Sequence, residues 1–459
     1  MPTILYWNIN NFTNERIATN TNKRSREDME WGAGPRGPQH LHMILDTLAN
    51  TDHPVTHNAV DLDFIVVVEV FARTGAPVEG QLIGGSGLTG CTNLFDEIDN
   101  NVNVIGQWAM VPPIVTGQAG QREAIAVFYR MDNWYFLGPN TWPAAYPGPL
   151  DSRLPAGNIP AGYPYRANQP QDRSAGRWQF TQTPPPGFVG LPPNVNFPGA
   201  PNRKPWLTAF GDVNNNNNLI RIMALHTKPN ELIGGVNYAD QGTANLADVY
   251  DMTARPPDAA NQIDVIVGDF NVDNMVAANF TAGGPFGRLL GVGANPVAPA
   301  YTALIQPPAL LNPNYESYYH THGRPADNRP GEVPARILET ILAPPYWRPV
   351  GHYPGREYSD LSIDNALVRY QGGAVPPANH HTTILARVES TPYNPPAGPP
   401  PVLPMLGYYQ SAVWMDETIN NIYAQAPDPF FDLNERFRQW DNYGQVYSVS
   451  DHFALLFDV

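Results

Sequence analysis

Cysteine is almost absent from this chain: Cys91 is the single one among 459 residues. No intramolecular disulfide can form, and no zinc site built on thiolates can be assembled. Charge is also scarce, at 15% of residues against roughly 25% in an average soluble domain. Basic residues are the smaller share, 27 Lys and Arg against 42 Asp and Glu, for a net charge of −15. That balance disfavours a protein that grips nucleic acid by blanket electrostatics, because phosphate contacts depend on Lys and Arg releasing counterions. A local grip, with a divalent metal inverting the potential around it, remains physically sound. Nowhere does an apolar run reach the ~18 residues of a membrane span. The segment MPTILYWNINNF has no basic flank leading into an apolar stretch, as a secretory leader would. The expectation is a cytoplasmic protein without membrane insertion; export by a route that uses no cleaved signal would leave the same sequence.

What the chain has in quantity is proline, 50 residues, and glycine, 39, together with 42% hydrophobic and 11% aromatic residues. A large core can form, and blocks such as TPPPGFVGLPPN and NPPAGPPPVLP predict stiff ordered loops. Short β-rich runs recur: Thr3 to Ile9, Phe64 to Val70, Ala124 to Arg130, Trp206 to Phe210, Leu219 to His226, Asp264 to Asp269, Asn365 to Tyr370, Thr382 to Val388 and Ala454 to Asp458. Apolar spacing of three to four predicts helices over His40 to Ala49 and Thr92 to Asn100. The run Asn214 to Asn218 lies between two strand-like runs and predicts a hairpin turn, since Asn tolerates turn conformations. Alternating strands and helices predict an α/β protein. One catalytic domain over 1–459 is expected, with insertions at about 138–202, 283–359 and 389–449.

Polar residues fall at or beside the ends of these apolar runs: Asn8 in YWNIN, Glu69 in VVVEV, Asp269 and Asn271 in VIVGDFNVD, Asp451 and His452 in SVSDHFALLF. Any one of them has an ordinary explanation; GDFN alone could be a strand followed by an Asx turn. Together they offer hard oxygen donors of the kind Mg²⁺ selects. Glu69 is the first candidate ligand, with Asn8, Asn10 and Asp451 as neighbours. His226 in MALHTKP and His452 form the natural proton-transfer pair, because imidazole titrates near neutral pH.

The order of these motifs resembles the endonuclease/exonuclease/phosphatase superfamily from Asn8 to His452. The matching pieces are WNI, Glu69, REAIAVFYR, the Arg203 and Lys204 start of RKPWLTAF, ALHTKP, GDFN, SIDNALV and SDH. REAIAVFYR and ALHTKP are similar to the deoxyribonuclease I branch and to cytolethal distending toxin catalytic subunits. The resemblance implies a two-sheet α/β sandwich and Mg²⁺, or Mn²⁺, as cofactor. It implies that Asn8 and Glu69 hold metal and phosphate, that Glu123 buttresses His226, and that Asp364 buttresses His452. Asp269 and Asn271 would orient water and phosphate, Asp451 would complete the metal side, and Arg122, Arg203 and Lys204 would contact substrate phosphate. Two positions depart from the family pattern: Val68 replaces the usual Gln before the Glu, and Asn365 replaces the usual Arg or Tyr after Asp364.

The activity implied is hydrolysis of a nucleic acid, DNA first and RNA second. The same fold also serves phosphoinositide phosphatases and sphingomyelinase-type enzymes, against which the lack of an inositol phosphatase signature and of an apolar hairpin weighs. A noncatalytic binding protein is disfavoured by the full set of acids and histidines. GGSGLTG at Gly84 to Gly90 lacks the Lys of a P-loop and is expected to be a flexible loop. His320 and His322 have no flanking acid to complete a metal site, and His380 and His381 are expected in a loop. The Pro-rich blocks could engage a protein partner, although a stiff lid is the simpler reading.

Overall fold

The computed structural model of the chain describes residues 2–18, 36–49, 61–72, 83–101, 104–117, 122–138, 203–231, 234–274, 276–305, 321–325, 358–376, 382–385, 449–450 and 452–459. The described strands are β1 (Thr3–Phe12), β2 (Phe64–Phe71), β3 (Trp108–Val115), β4 (Glu123–Arg130), β5 (Trp134–Gly138), β6 (Trp206–Asp212), β7 (Asn218–His226), β8 (Asn261–Asp269), β9 (Thr302–Ala303), β10 (His322–Pro325), β11 (Tyr358–Leu361), β12 (Asp364–Gly372), β13 (Thr382–Leu385) and β14 (Ala454–Asp458). Helices are α1 (Asn14–Ala18), α2 (Arg36–Ala49), α3 (Gly85–Asn100), α4 (Tyr238–Asn245) and α5 (Tyr250–Thr253). Two six-stranded sheets form, in the orders β13-β14-β1-β2-β4-β3 and β5-β6-β7-β8-β12-β9; β10 and β11 pair separately. This is the two-sheet α/β sandwich expected from the sequence.

The centres of the sheets follow from composition. FIVVVEV in β2 and DVIVGD in β8 are apolar on both faces because each sheet is covered on both sides. Between the sheets, the Phe210 ring packs against Phe64 at 4.9 Å and Tyr129 at 5.2 Å. On the outside of the second sheet, Arg221 and Arg369 are wholly buried. Each is neutralised where it lies: Arg221 donates to the Asp251 carbonyl at 2.6 Å and pairs with Asp258, while Arg369 pairs with Asp264. Buried charges persist only when matched in this way.

The topology decides where chemistry can occur. β1 and β2 run parallel, as do β7 and β8, so the C-terminal ends of both central pairs reach one pole of the sandwich. β4 and β12 run antiparallel to their neighbours, so their first residues, Glu123 and Asp364, reach the same pole. His452 enters it two residues ahead of β14.

Some expectations are corrected. Gly84 to Gly90 is not a flexible loop: Gly85 opens α3, which runs to Asn100. Two of these glycines serve close approach: a Cβ on Gly87 would lie 1.9 Å from the Phe71 carbonyl oxygen and one on Gly90 2.7 Å from the Asn14 nitrogen. β3 was hidden by Pro112 and Pro113, which a sheet tolerates at its edge and beside the register shift between Val111 and Ile114. The stretch from Gly283, expected outside the core, begins inside it: Phe286, Leu289, Tyr301 and Ile305 are buried and β9 pairs with β12. The Asn run does form the turn between β6 and β7, with Asp212 Oδ1 accepting from Asn214 N at 2.8 Å. Residues 139–202, 306–320, 326–357 and 386–448 lie outside the described residues, and with them most of the expected insertions; so do His320, His380, His381 and Asp451.

Candidate active site

Glu69 owes its position to a defect in β2. Val67 faces Ala126 on β4 and Val70 faces Ala124, so Val68 and Glu69 together oppose Ile125 alone. On the other side, Asn8 faces Val68 and Phe12 faces Val70, so Ile9 to Asn11 loop past Glu69. Such a bulge turns a side chain away from its strand's alternation. Glu69 takes φ +58°, Asn11 +49° and Asn271 +50°, all in the left-handed region. A non-glycine residue there costs on the order of 1–3 kcal/mol, which the surrounding fold must hold in place. Asn11 N–H donates to Glu69 Oε2 at 3.2 Å, a contact unseen from sequence; Asn10 lies on the same loop, its Oδ1 accepting from Asn11 Nδ2 at 2.7 Å.

Asn8 sits between the two sheets. Its Nδ2 donates to Glu69 Oε1 and to Asp269 Oδ2, each at 3.3 Å. Its Oδ1 is buried and has no hydrogen-bond partner among the described residues. An amide oxygen stripped of water and left unmatched costs about 1–3 kcal/mol; beside a carboxylate it is a donor set for a hard divalent cation.

Two histidine–carboxylate pairs flank this centre. His226 Nδ1 donates to Glu123 Oε2 at 2.8 Å, and His452 Nδ1 donates to Asp364 Oδ2 at 2.8 Å. Both imidazoles turn Nε2 toward Asp269 Oδ2, at 3.4 Å from His226 and 3.7 Å from His452. These separations exceed a hydrogen bond, so each ring is poised toward Asp269 without being tied to it. Asp269 Oδ1 accepts from Asn271 N at 2.9 Å, and Asn271 Nδ2 donates to the Thr227 carbonyl at 3.0 Å. Asp269, His226 and Asp364 are laid side by side by strand register.

Burial raises the Asp269 carboxyl, and nearby Asp364 adds to it; the two imidazoles and the Asn271 N–H oppose, leaving it at about 6. For His226, burial and Arg203 pull the imidazole down, but Glu123, Glu69 and Asp269 outweigh them and raise it. Burial, then Asp364, holds the Tyr6 phenol well above its ordinary range.

Arg203 is engaged within the protein. Its Nη2 pairs with Glu123 Oε1 at 2.9 Å, and its Nη1 lies 2.9 Å from Nδ1 and 2.8 Å from Nε2 of His226. Near-equal distances to both ring nitrogens place the guanidinium over the face of the ring. Arg203 therefore fixes the Glu123–His226 pair, a role the sequence did not suggest. Lys204 N–H donates to the Thr116 carbonyl at 2.7 Å, and Thr116 N–H to that of Glu123 at 2.9 Å, so Lys204 and Arg122 lie on the same side of the site.

Support beneath the site also escaped the sequence. Thr321 Oγ1 accepts from the N–H groups of Ile363 and Asp364 at 3.0 and 2.9 Å, and its carbonyl accepts from Phe453 at 2.9 Å. Ser450 Oγ donates to the Asn8 carbonyl and accepts from His452 N–H. Asn365, the departure from the family pattern, is wholly buried and donates to Asn274 Oδ1 at 2.7 Å, while Asn274 donates to the Asp364 carbonyl at 2.8 Å. Its amide has become scaffold for the neighbouring acid.

No protein-family model matches the chain, and no curated protein matches it in sequence. Among solved structures, it is similar to members of the endonuclease/exonuclease/phosphatase superfamily over nearly its whole length. They include a mannosyl-6-phosphatase from Bacteroides thetaiotaomicron, at 10% identity, TM-score 0.39, covering 100% of this chain and 99% of that one. The D. rerio TDP2 complexed with single-strand DNA product is similar at 9% identity, TM-score 0.39, covering 100% and 99%. Sphingomyelinase C from Streptomyces griseocarneus is similar at 10% identity, TM-score 0.37, covering 99% and 98%.

Proposed function

We propose that this chain is a divalent-metal-dependent phosphodiesterase whose substrate is nucleic acid, cleaved internally, DNA first and RNA second. The observation that carries this reading is the convergence of two histidine–carboxylate pairs on Asp269, next to the carboxylate of Glu69 and the buried Oδ1 of Asn8, which no described residue matches. Four carboxylates, Glu69, Glu123, Asp269 and Asp364, share this pocket with one guanidinium and two imidazoles, so a divalent cation is what the charge calls for. Glu69 and Asn8 are the residues that would hold Mg²⁺ or Mn²⁺, with Asp451 next to His452 in sequence as a further carboxylate. When bound, the metal supplies Lewis-acid neutralisation of a phosphate oxygen.

The remaining work falls to side chains. Asp269 accepts a proton from the attacking water, a task suited to a carboxyl near 6 that is ionised at neutral pH. Asn271, braced by Thr227, presents its amide to the phosphate. His226, whose imidazole is raised by Glu123, Glu69 and Asp269, and His452, held by Asp364, donate to the charged phosphate oxygens and return one proton to the leaving oxygen. One P–O bond forms, one breaks, and the products are a phosphate monoester and a free hydroxyl. The basic residues on the Glu123 side, Arg122 and Lys204, supply the few phosphate contacts that an acidic chain can offer.

Plasmid nicking with Mg²⁺, with Mn²⁺ and with EDTA tests the reading, run beside single-stranded RNA, a phosphoinositide and sphingomyelin. Nicking that EDTA abolishes is expected. Rapid release of phosphate or phosphocholine from a lipid, with both nucleic acids uncut, would overturn the substrate and leave the metal chemistry standing.

A further inference from the structure

We propose that Tyr6 is a positioning residue for His452, acting through Asp364; the inference rests on the phosphodiesterase reading above. Tyr6 precedes Asn8 by two residues on β1, so both side chains leave the sheet on the same face, toward the second sheet. The phenol is wholly buried, and its O–H donates to Asp364 Oδ1 at 2.8 Å. The other oxygen of that carboxylate accepts from His452 Nδ1 at 2.8 Å. One hydrogen bond leaves a carboxylate free to turn about its last torsion; a second, on the opposite oxygen, fixes its plane. The Asp364 backbone is already held by Thr321 Oγ1 at 2.9 Å, so Tyr6 supplies the remaining constraint, on the side chain.

The two histidine pairs thus each have a third member, of different chemistry. Glu123 is held by the Arg203 guanidinium at 2.9 Å, which cancels its charge; Asp364 is held by a neutral hydroxyl, which orients it and leaves its charge for His452. Burial keeps the phenol from ionising, so it acts as a donor. Tyr6 comes from the first sheet and Asp364 from the second, and the contact spans 358 residues of sequence. It aligns the imidazole that precedes β14 with a carboxylate on the opposite sheet.

The test is Tyr6→Phe in the full chain, alone and combined with His452→Ala, using Mg²⁺-dependent plasmid nicking. The hydroxyl acts through His452, so Tyr6→Phe is expected to lower kcat by about tenfold with KM unchanged, and to have no further effect in the His452→Ala background. Nitrogen-15 NMR of the labelled histidines gives a readout independent of rate: the Nδ1–H signal of His452, assigned by its loss in His452→Ala, should shift in Tyr6→Phe while that of His226 stays. An unshifted signal with wild-type kcat overturns the proposal. So does a Tyr6→Phe loss that is as large in the His452→Ala background, which would mark a general structural role. If His452→Ala itself keeps more than about half the activity, the parent reading fails, a result distinct from the failure of Tyr6 alone.

Discussion

Asp364 Oδ2 and His452 Nδ1 meet at 2.8 Å although 88 residues separate them in the chain. With Glu123 and His226 at the same distance across the site, the protein holds two imidazoles by carboxylates from opposite sheets. Removing either charge while keeping its shape, as in Asp364→Asn or Glu123→Gln, should lower kcat by about 10²–10⁴. The double variant should lose less than the product of the single losses, because both pairs serve one transition state. Steady-state kinetics on the two singles and the double decides it; fully additive losses would separate the pairs mechanistically.

Glu69→Gln should leave the fold intact and raise the Mg²⁺ concentration needed for half-maximal rate by at least about tenfold. The bulge that aims Glu69 is a backbone feature, and the amide preserves the side chain's length. Rate measured against Mg²⁺ concentration, with melting curves alongside, tests this; an unchanged Mg²⁺ dependence would remove Glu69 from the metal site.

The Asp269 carboxyl sits at about 6 in the fold, against 3.8 ordinarily. The folded protein holds this proton more tightly than the unfolded chain, so its contribution to stability is complete below about 3.8 and is lost as pH rises through about 6. In metal-free protein at pH 7–8, Asp269→Asn should therefore stabilise by about 1–3 kcal/mol, an advantage that fades as pH falls below about 4. It should also abolish activity. Urea denaturation in EDTA at several pH values checks the sign; a variant less stable at pH 8 would show that the ionised acid is well matched in the fold.

Gly87→Ala should destabilise by about 1–3 kcal/mol through its collision with the Phe71 carbonyl, although Ala in place of Gly inside a helix is ordinarily stabilising. The added Cβ would sit 1.9 Å from that oxygen, two residues from Glu69. Gly84→Ala, whose Cβ would meet nothing within 4 Å, is the control. Equal stabilities for the two variants would show that α3 shifts freely on β2.

How much of this was legible varies with the range of the interaction. Runs such as FIVVVEV and LIRIMALH announce strands because burial on both faces leaves no polar alternation, and a His or Asp closing such a run lies at a strand end. His226 and Asp269 could therefore be named from local pattern, whereas Asp364, which opens β12, comes only from the order of motifs along the chain. The bulge that aims Glu69 could not, since it depends on both neighbouring strands. The proline pair hid β3, and the glycines made the start of α3 look like a loop, although Gly87 and Gly90 are there for contact with other segments. Nothing in the sequence singles out Tyr6; only the meeting of the two sheets gives its hydroxyl a partner.

β1 lies inside the first sheet, with β2 on one side and β14 on the other, and Thr3 is paired with Asp458. During synthesis β1 and β2 can pair early, but the other edge of β1 stays open until the ribosome has delivered Ala454–Asp458. At about 5–20 residues per second that interval lasts tens of seconds, with an apolar strand exposing unpaired N–H and C=O groups. Closure of that edge also carries in His452, so the arrival of β14 both pairs the open edge of β1 and completes the proposed catalytic set. Nascent chains ending before β14 should accordingly be inert, and prone to pair that edge with one another.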